Sequence, residues 1–451
     1  MRVRRIAGLT AAALLVALLC TSGCVRVPRA GAVAAEGEAV ETRPGLRLPG
    51  WLPRGELFWD RGGRYRLFSE PTVTLENRVP QFGLGEKPLV EGKIGFKLNV
   101  DAAGFVEQGE VESIPDRVEV RRAFLTTSGV FNLPRPIYYN AEFGLLDKEF
   151  YLDSAWIMFR DIPWIGSLKL GGIDAPISLD NMMSSRDRTF MEVAAPVQAF
   201  VPATSVGMLA ERTFADTRGS WGLGMFSVGQ RRDVGDQSEA LARIVGRTTW
   251  LLRAEEPDPK GRWPELVHLG LAGSYTFAAP NQVRYDARPE SFLAPVAVDT
   301  DDIDARHAFV LGFEAAARRG PLSFQGEFFE AFVDRSSARF PGLYLSLAGL
   351  LTGEVRPYDR EQAAFGQVVP RRPLDPRARA WGAAEWAARY SYVDLDDADF
   401  KGGRMHVLTA GLNWYWNSVV RWQFNYERAF IDGGPLDGRL HVFQARFQLV
   451  L

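Results

Sequence analysis

The chain has 451 residues, 12% of them aromatic, and a formal charge of −2. Its only two cysteines, Cys20 and Cys24, lie near the start, so the body has no disulfide and no thiolate metal site. The charge balance gives no sign of a nucleic-acid partner. No later stretch of 18 apolar residues could form a membrane-crossing helix.

Taken in chain order, Met1 to Arg5 is basic and Ile6 to Leu19 is apolar. A basic start before a short apolar run is the pattern of a secretory signal. Two processing sites fit: cleavage after Ala30-Gly31-Ala32, giving a signal over 1–32, or lipidation at Cys24 after Thr21-Ser22-Gly23, giving a signal over 1–23. Removing 1–32, which carries five arginines and no acid, takes the formal charge to −7. Residues 25–62 are rich in Ala, Gly, Pro and Arg, and 33–90 reads as a partly disordered periplasmic lead with a short ordered piece at 64–76.

From residue 91 the chain alternates apolar and polar residues with period two, broken by Gly, Pro, Asp and Asn, which is the strand signal. Sixteen segments are predicted at 91–101, 117–131, 136–146, 148–160, 166–174, 204–215, 218–228, 238–253, 264–278, 305–319, 321–333, 341–352, 378–395, 402–416, 418–431 and 438–451. Tilted strands of ~9–11 residues span a bilayer, and bacterial barrels hold an even number of them. The first segment sets Ile94, Phe96, Leu98 and Val100 against Lys93, Lys97 and Asn99. The last sets Phe443, Phe447, Leu449 and Leu451 against Gln444, Arg446 and Gln448. The fold expected over 91–451 is all-β, a transmembrane antiparallel barrel in the outer membrane. A soluble sandwich has the same periodicity, but the signal, strand count and lack of cysteines favour the membrane.

Several motifs in fixed order narrow this reading. Residues 168–192 carry Gly172, Pro176, Ser178, Asp180, Ser185 and Phe190-Met191-Glu192. Gly312-Phe313-Glu314 is followed by Arg319-Gly320-Pro321 and Phe324-Gln325-Gly326-Glu327-Phe328. Leu351-Thr352-Gly353-Glu354, with Arg356 and Tyr358, leads to Trp381-Gly382-Ala383, Glu385 and Arg389-Tyr390-Ser391. Gly411-Leu412-Asn413-Trp414-Tyr415 with Asn417 closes the series, and Arg121-Arg122 is a paired arginine in the second strand. In this order they resemble the phosphate-selective porin O and P family from about residue 91 to the end. The resemblance implies a sixteen-stranded homotrimeric barrel whose third extracellular loop, here about 175–203, folds inward as a constriction. It also implies passive diffusion of small anions such as phosphate or polyphosphate, drawn by basic side chains, with no cofactor.

Phosphate needs several fixed donors, and the planar arginine fork matches two oxygens at once. Arg186 and Arg188, two apart on the constriction loop, would point the same way in an extended segment, and are the first anion-binding candidates. Lys93, Lys97, Lys169, Arg243, Arg247 and one of Arg121 or Arg122 are candidates along the wall, since adjacent residues of a regular strand face opposite sides. These bases have an alternative use, pairing with Glu314, Glu327 and Glu385. Two departures bear on specificity: Val193 follows Phe-Met-Glu where the family has Arg, and Ala203-Thr204-Ser205 precede Gly207. The 353–377 connection is long for the periplasmic side.

Other functions stay open at this point. Asp180, Asp187 and Glu192 suit a general or cation-preferring porin. His268, His307, His406 and His441 lie on separate strands without metal-like spacing, which leaves a wall-borne Ser–His hydrolase with little support. A non-conducting anchor or receptor shares the same fold.

Overall fold

In a computed structural model, the described residues are 88–109, 113–146, 149–227, 242–255, 263–278, 282–334, 337–397 and 399–451, with short strands upstream between Leu46 and Gln81. The signal, Cys24 and most of the 33–90 lead lie outside them.

Sixteen strands form one closed antiparallel barrel. They are β1 (Val90–Gly109), β2 (Arg117–Phe131), β3 (Ile137–Leu146), β4 (Glu149–Ile162), β5 (Gly166–Ile173), β6 (Ser205–Phe214), β7 (Gly219–Ser227), β8 (Ala242–Ala254), β9 (Glu265–Phe277), β10 (His307–Arg319), β11 (Leu322–Val333), β12 (Arg339–Leu350), β13 (Ala383–Asp397), β14 (Phe400–Tyr415), β15 (Val420–Asp432) and β16 (Gly438–Val450). Each pairs with the next, and β16 returns to β1 from Gly438 opposite Gly109 to Val450 opposite Lys97. Closure leaves no sheet edge, so every strand can meet its hydrogen bonds inside lipid. The first strand runs eight residues further than its alternation predicts, to Gly109.

The outer face is apolar, as the alternation requires: Leu345, Leu347, Leu408, Leu412, Phe424 and Phe443 are all exposed there. Between them the inner positions carry Gln423, Asn425, Glu427, Gln444 and Arg446, all buried. These polar residues are buried because three connections fold into the barrel. Residues 174–204, between β5 and β6, hold two short helices, α1 (Leu179–Met182) and α2 (Ala195–Phe200). Residues 278–306 enter from the same rim. Residues 351–382 enter from the rim that carries both ends of the barrel chain.

The apolar core therefore sits inside the barrel. Val197 and Phe200 of α2 pack with Leu293, Val298 and Ile303, and with wall residues Val393, Val407, Ile431 and Leu440. Helix α2 comes close to the wall at Gly342, where a Cβ would lie 2.7 Å from both Phe200 and Pro196. A side chain there would push the helix off the wall.

Candidate functional site at the lumen constriction

Segment 174–204 is held to the wall by polar side chains. The Ser178 hydroxyl caps α1, accepting from the Asn181 amide at 3.2 Å, and donates to Glu327 at 2.7 Å. Glu327 also accepts from the Leu179 amide. Asp180 accepts from the Ala194 amide at 3.0 Å, which ties the two helices together. Asn413 donates to the Thr189 carbonyl at 2.8 Å, and Arg421 to that of Arg188 at 2.8 Å.

The Phe190-Met191-Glu192 motif is the main anchor. The Arg389 guanidinium lies 4.3 Å from the Phe190 ring centroid and donates to the Glu192 carbonyl at 3.1 Å. Arg446 donates to the Met191 carbonyl, pairs with Glu192 at 2.7 Å, and forms a two-pronged pair with Asp101 at 2.7 and 2.6 Å. Burial works to raise the Glu192 carboxyl, but Arg121, Arg446 and Arg122 outweigh it and hold it well below the usual carboxylate range.

Arg121 and Arg122 both face the lumen, which corrects the expectation that only one of them could. The register of β1 against β2 slips between Asn99, opposite Arg122, and Val100, opposite Val120. Arg121 is the extra residue of this bulge, and a bulge breaks strict alternation. Arg121 stacks 3.5 Å over the Phe292 ring and reaches Glu192 at 3.3 Å. Arg122 lies opposite Asn99, whose side chain is buried inside the barrel. The Arg122 Nη1 is buried and has no hydrogen-bond partner in the protein. Arg121, Arg122 and Arg446 thus gather around two carboxylates, Asp101 and Glu192, leaving a local charge of +1.

The loop arginines are placed otherwise than an extended segment would put them. The Asp187 and Arg188 amides both donate to the Ser184 carbonyl, at 2.7 and 3.2 Å, so the chain turns between the two side chains. Arg186 folds onto Asp187 at 2.8 Å, while Arg188 reaches back to the carbonyls of Asp180 and Asn181. Arg186 shares a small cleft instead with Gln367, Tyr415, Arg421 and Gln448. The Nε and Nη2 of Arg421 are buried and unpartnered.

Several wall bases are neutralised. Lys97 pairs with Glu142 at 3.3 Å, and Lys169 with Glu211 at 2.7 Å. Arg247 makes a two-pronged pair with Glu314 and also donates to the carbonyls of Gln362 and Ala363, at 3.1 and 2.8 Å. Arg243 donates to Thr276 at 2.9 Å, and Lys93 is exposed.

The other two inward connections support this arrangement. Glu290, on 278–306, is fully buried and accepts from Arg389 at 2.9 and 2.6 Å, from Thr409 at 2.6 Å, from Ser391, and from the Ala195 amide at 3.1 Å. One carboxylate thus joins two connections and two strands. On 351–382, Arg356 is buried between Glu385 and the Asp187 carbonyl, and Phe365 packs against Leu179 and Met183 of the α1 region. His268 bridges Tyr358 at 2.6 Å and Glu314 at 2.8 Å. The unusual length of 353–377 is therefore spent on a segment that turns into the lumen beneath the constriction.

The family model for phosphate-selective porin O and P matches residues 93–450. The chain belongs to that family. This porin is accordingly an outer-membrane channel protein. An uncharacterized protein of Caulobacter vibrioides is 26% identical over 408 residues, 84% of this chain and 78% of its own. Two solved structures of OmpT, an outer membrane protein of Vibrio cholerae, share the fold at a TM-score of 0.50. They are a loop L8 deletion mutant, 11% identical and covering 80% of this chain and all of its own, and an in-vitro folded form, 12% identical and covering 81% and 99%.

Replacing 356–372 of this porin by a short Gly-containing turn removes the segment that fills the lumen below the constriction. Single-channel conductance is expected to rise several-fold. An unchanged conductance would show that 351–382 does not narrow the path.

Proposed function

We propose that this porin passes small inorganic anions by passive diffusion, with phosphate-like ions held transiently at Arg121 and Arg122. The observation that carries the reading is the β2 bulge, which turns two adjacent arginines into the lumen and leaves an Nη1 donor unsatisfied. A buried unpartnered donor is costly unless a ligand reaches it, and an anion oxygen is the matching acceptor. The path runs along the inner face of β2–β5, where Tyr138, Asn140, Trp156 and Lys169 keep solvent exposure, in contrast to the covered wall of β13–β16. Arg186 and Arg421, in their shared cleft, offer the next stop toward the periplasm. A charge surplus draws anions in, and the neutralised pairs elsewhere keep them from being held too tightly to leave.

Export by a signal within 1–32 and assembly as a homotrimer belong to the same proposal and rest on the basic and apolar start and on the family resemblance. The experiment is chloride current through single channels with added phosphate. Millimolar phosphate is expected to reduce the current, and the reduction to weaken in the R121A/R122A variant. A cation-preferring current, or one that phosphate leaves unchanged, would remove the phosphate site from the account.

A further inference from the structure

The outer face of β14–β16 carries a basic cluster that the channel does not use. Arg404 and His406 of β14, Arg428 and Phe430 of β15, and Arg439 and His441 of β16 are neighbours across the ladder: His406 lies opposite Phe430, Phe430 opposite Arg439, and Arg428 opposite His441. Their side chains share the face of Leu408, Phe424 and Phe443, which are exposed toward lipid. The Arg428 and Arg439 guanidinium groups lie 4.9 and 5.9 Å from the Phe430 ring centroid, so two strands converge on one ring. A cleft of about 350 Å³ opens here, lined by Arg404, His406, Phe430, Asp432 and Arg439. Arg404 is neutralised by Asp394 at 2.8 Å, whereas among the described residues neither Arg428 nor Arg439 has a carboxylate partner.

The position of the cluster says what covers it. These residues stand toward the rim opposite the chain ends, Arg428 and His441 in the row of Leu408, His406, Phe430 and Arg439 in the next, and Arg404 beyond them. In an outer-membrane barrel with periplasmic termini that rim lies at the headgroup level of the outer leaflet. The other end of the same strands carries Trp414, Trp416 and Trp422, an aromatic belt without outward arginines. The asymmetry is one of charge, and an unpaired arginine at the headgroup level of a bilayer meets phosphate.

We propose that this cleft binds the phosphate-bearing headgroup of an outer-leaflet glycolipid, with Arg439 in the cleft and Arg428 beside it against the Phe430 ring supplying the charge that grips the phosphate. The site lies outside the barrel and does not depend on what the channel conducts. The test titrates detergent-solubilised porin with diphosphoryl lipid A by native mass spectrometry, with fully dephosphorylated lipid A as comparator. R428A/R439A is expected to bind the phosphorylated lipid about tenfold more weakly or worse, with conductance unchanged. R212A, which removes an outward base from the opposite rim, is expected to bind as the wild type does. If the double variant fails to fold, as judged by heat-modifiable migration, R439A alone serves, because Arg439 is exposed. Equal binding of the two lipids, or wild-type binding by the folded variants, would overturn the proposal.

Discussion

Replacing Arg121 and Arg122 together by alanine is expected to shift the reversal potential under a salt gradient from the sign set by chloride toward that set by potassium. Most lumen bases near the path already face an acid: Lys97 with Glu142, Lys169 with Glu211, Arg247 with Glu314, and Arg356 with Glu385. These pairs add little net field. The surplus lies where Arg121, Arg122 and Arg446 meet Asp101 and Glu192, and the double substitution takes that cluster from +1 to −1. Selectivity follows local charge at the narrowest point, so the formal −2 of the whole chain does not decide it. R186A is expected to move the potential less, because Arg186 already pairs with Asp187.

Arg446→Ala is expected to release the constriction segment. The residue is fully buried and binds Asp101, Glu192 and the Met191 carbonyl at once. Removing it takes away the one guanidinium that Asp101 and Glu192 share, and breaking a buried pair of this kind costs about 3–5 kcal/mol. The barrel hydrogen bonds remain, so the loss is expected in the 174–204 segment: faster proteolysis there, larger and noisier conductance, and a barrel that still resists heat in gels. The pH dependence follows from the depressed Glu192 carboxyl. Its stabilisation is fully present above the carboxyl's ordinary value and is lost only as pH falls through the lower folded value. The wild-type segment is therefore expected to stay anchored at pH 4–5, and the R446A segment to loosen in that range, where Glu192 is no longer held so strongly ionised. Equal proteolysis of both proteins across this range would count against the anchor.

The wall was largely legible in the sequence because a transmembrane strand must satisfy two solvents, lipid outside and the lumen inside, and period two records both. The alternation from Val420 to Glu427 and from Phe443 to Gln448 places every residue on its observed face. What alternation cannot show is a bulge, since one extra residue in β2 leaves the composition unchanged and turns Arg121 inward. It also cannot show partners far apart in the chain. Arg446 and Arg389 could be placed on the inner face or in a motif, but their acids lie 345 and 99 positions away. Glu290 sits in a connection with no period at all, and nothing local marks it as the residue that joins two inward segments. The alignment of the loop arginines fails for a related reason: a turn closed by the Ser184 carbonyl replaces the extended geometry under which Arg186 and Arg188 would point the same way.

The measurement that bears most directly on the account is the reversal potential of the wild-type porin in a planar bilayer under a KCl gradient. The arginine surplus at the β2 bulge predicts a potential of the sign set by chloride. A potential set by potassium would mean that the acidic residues of the constriction govern the field, and the anion-channel reading would fall while the barrel stood.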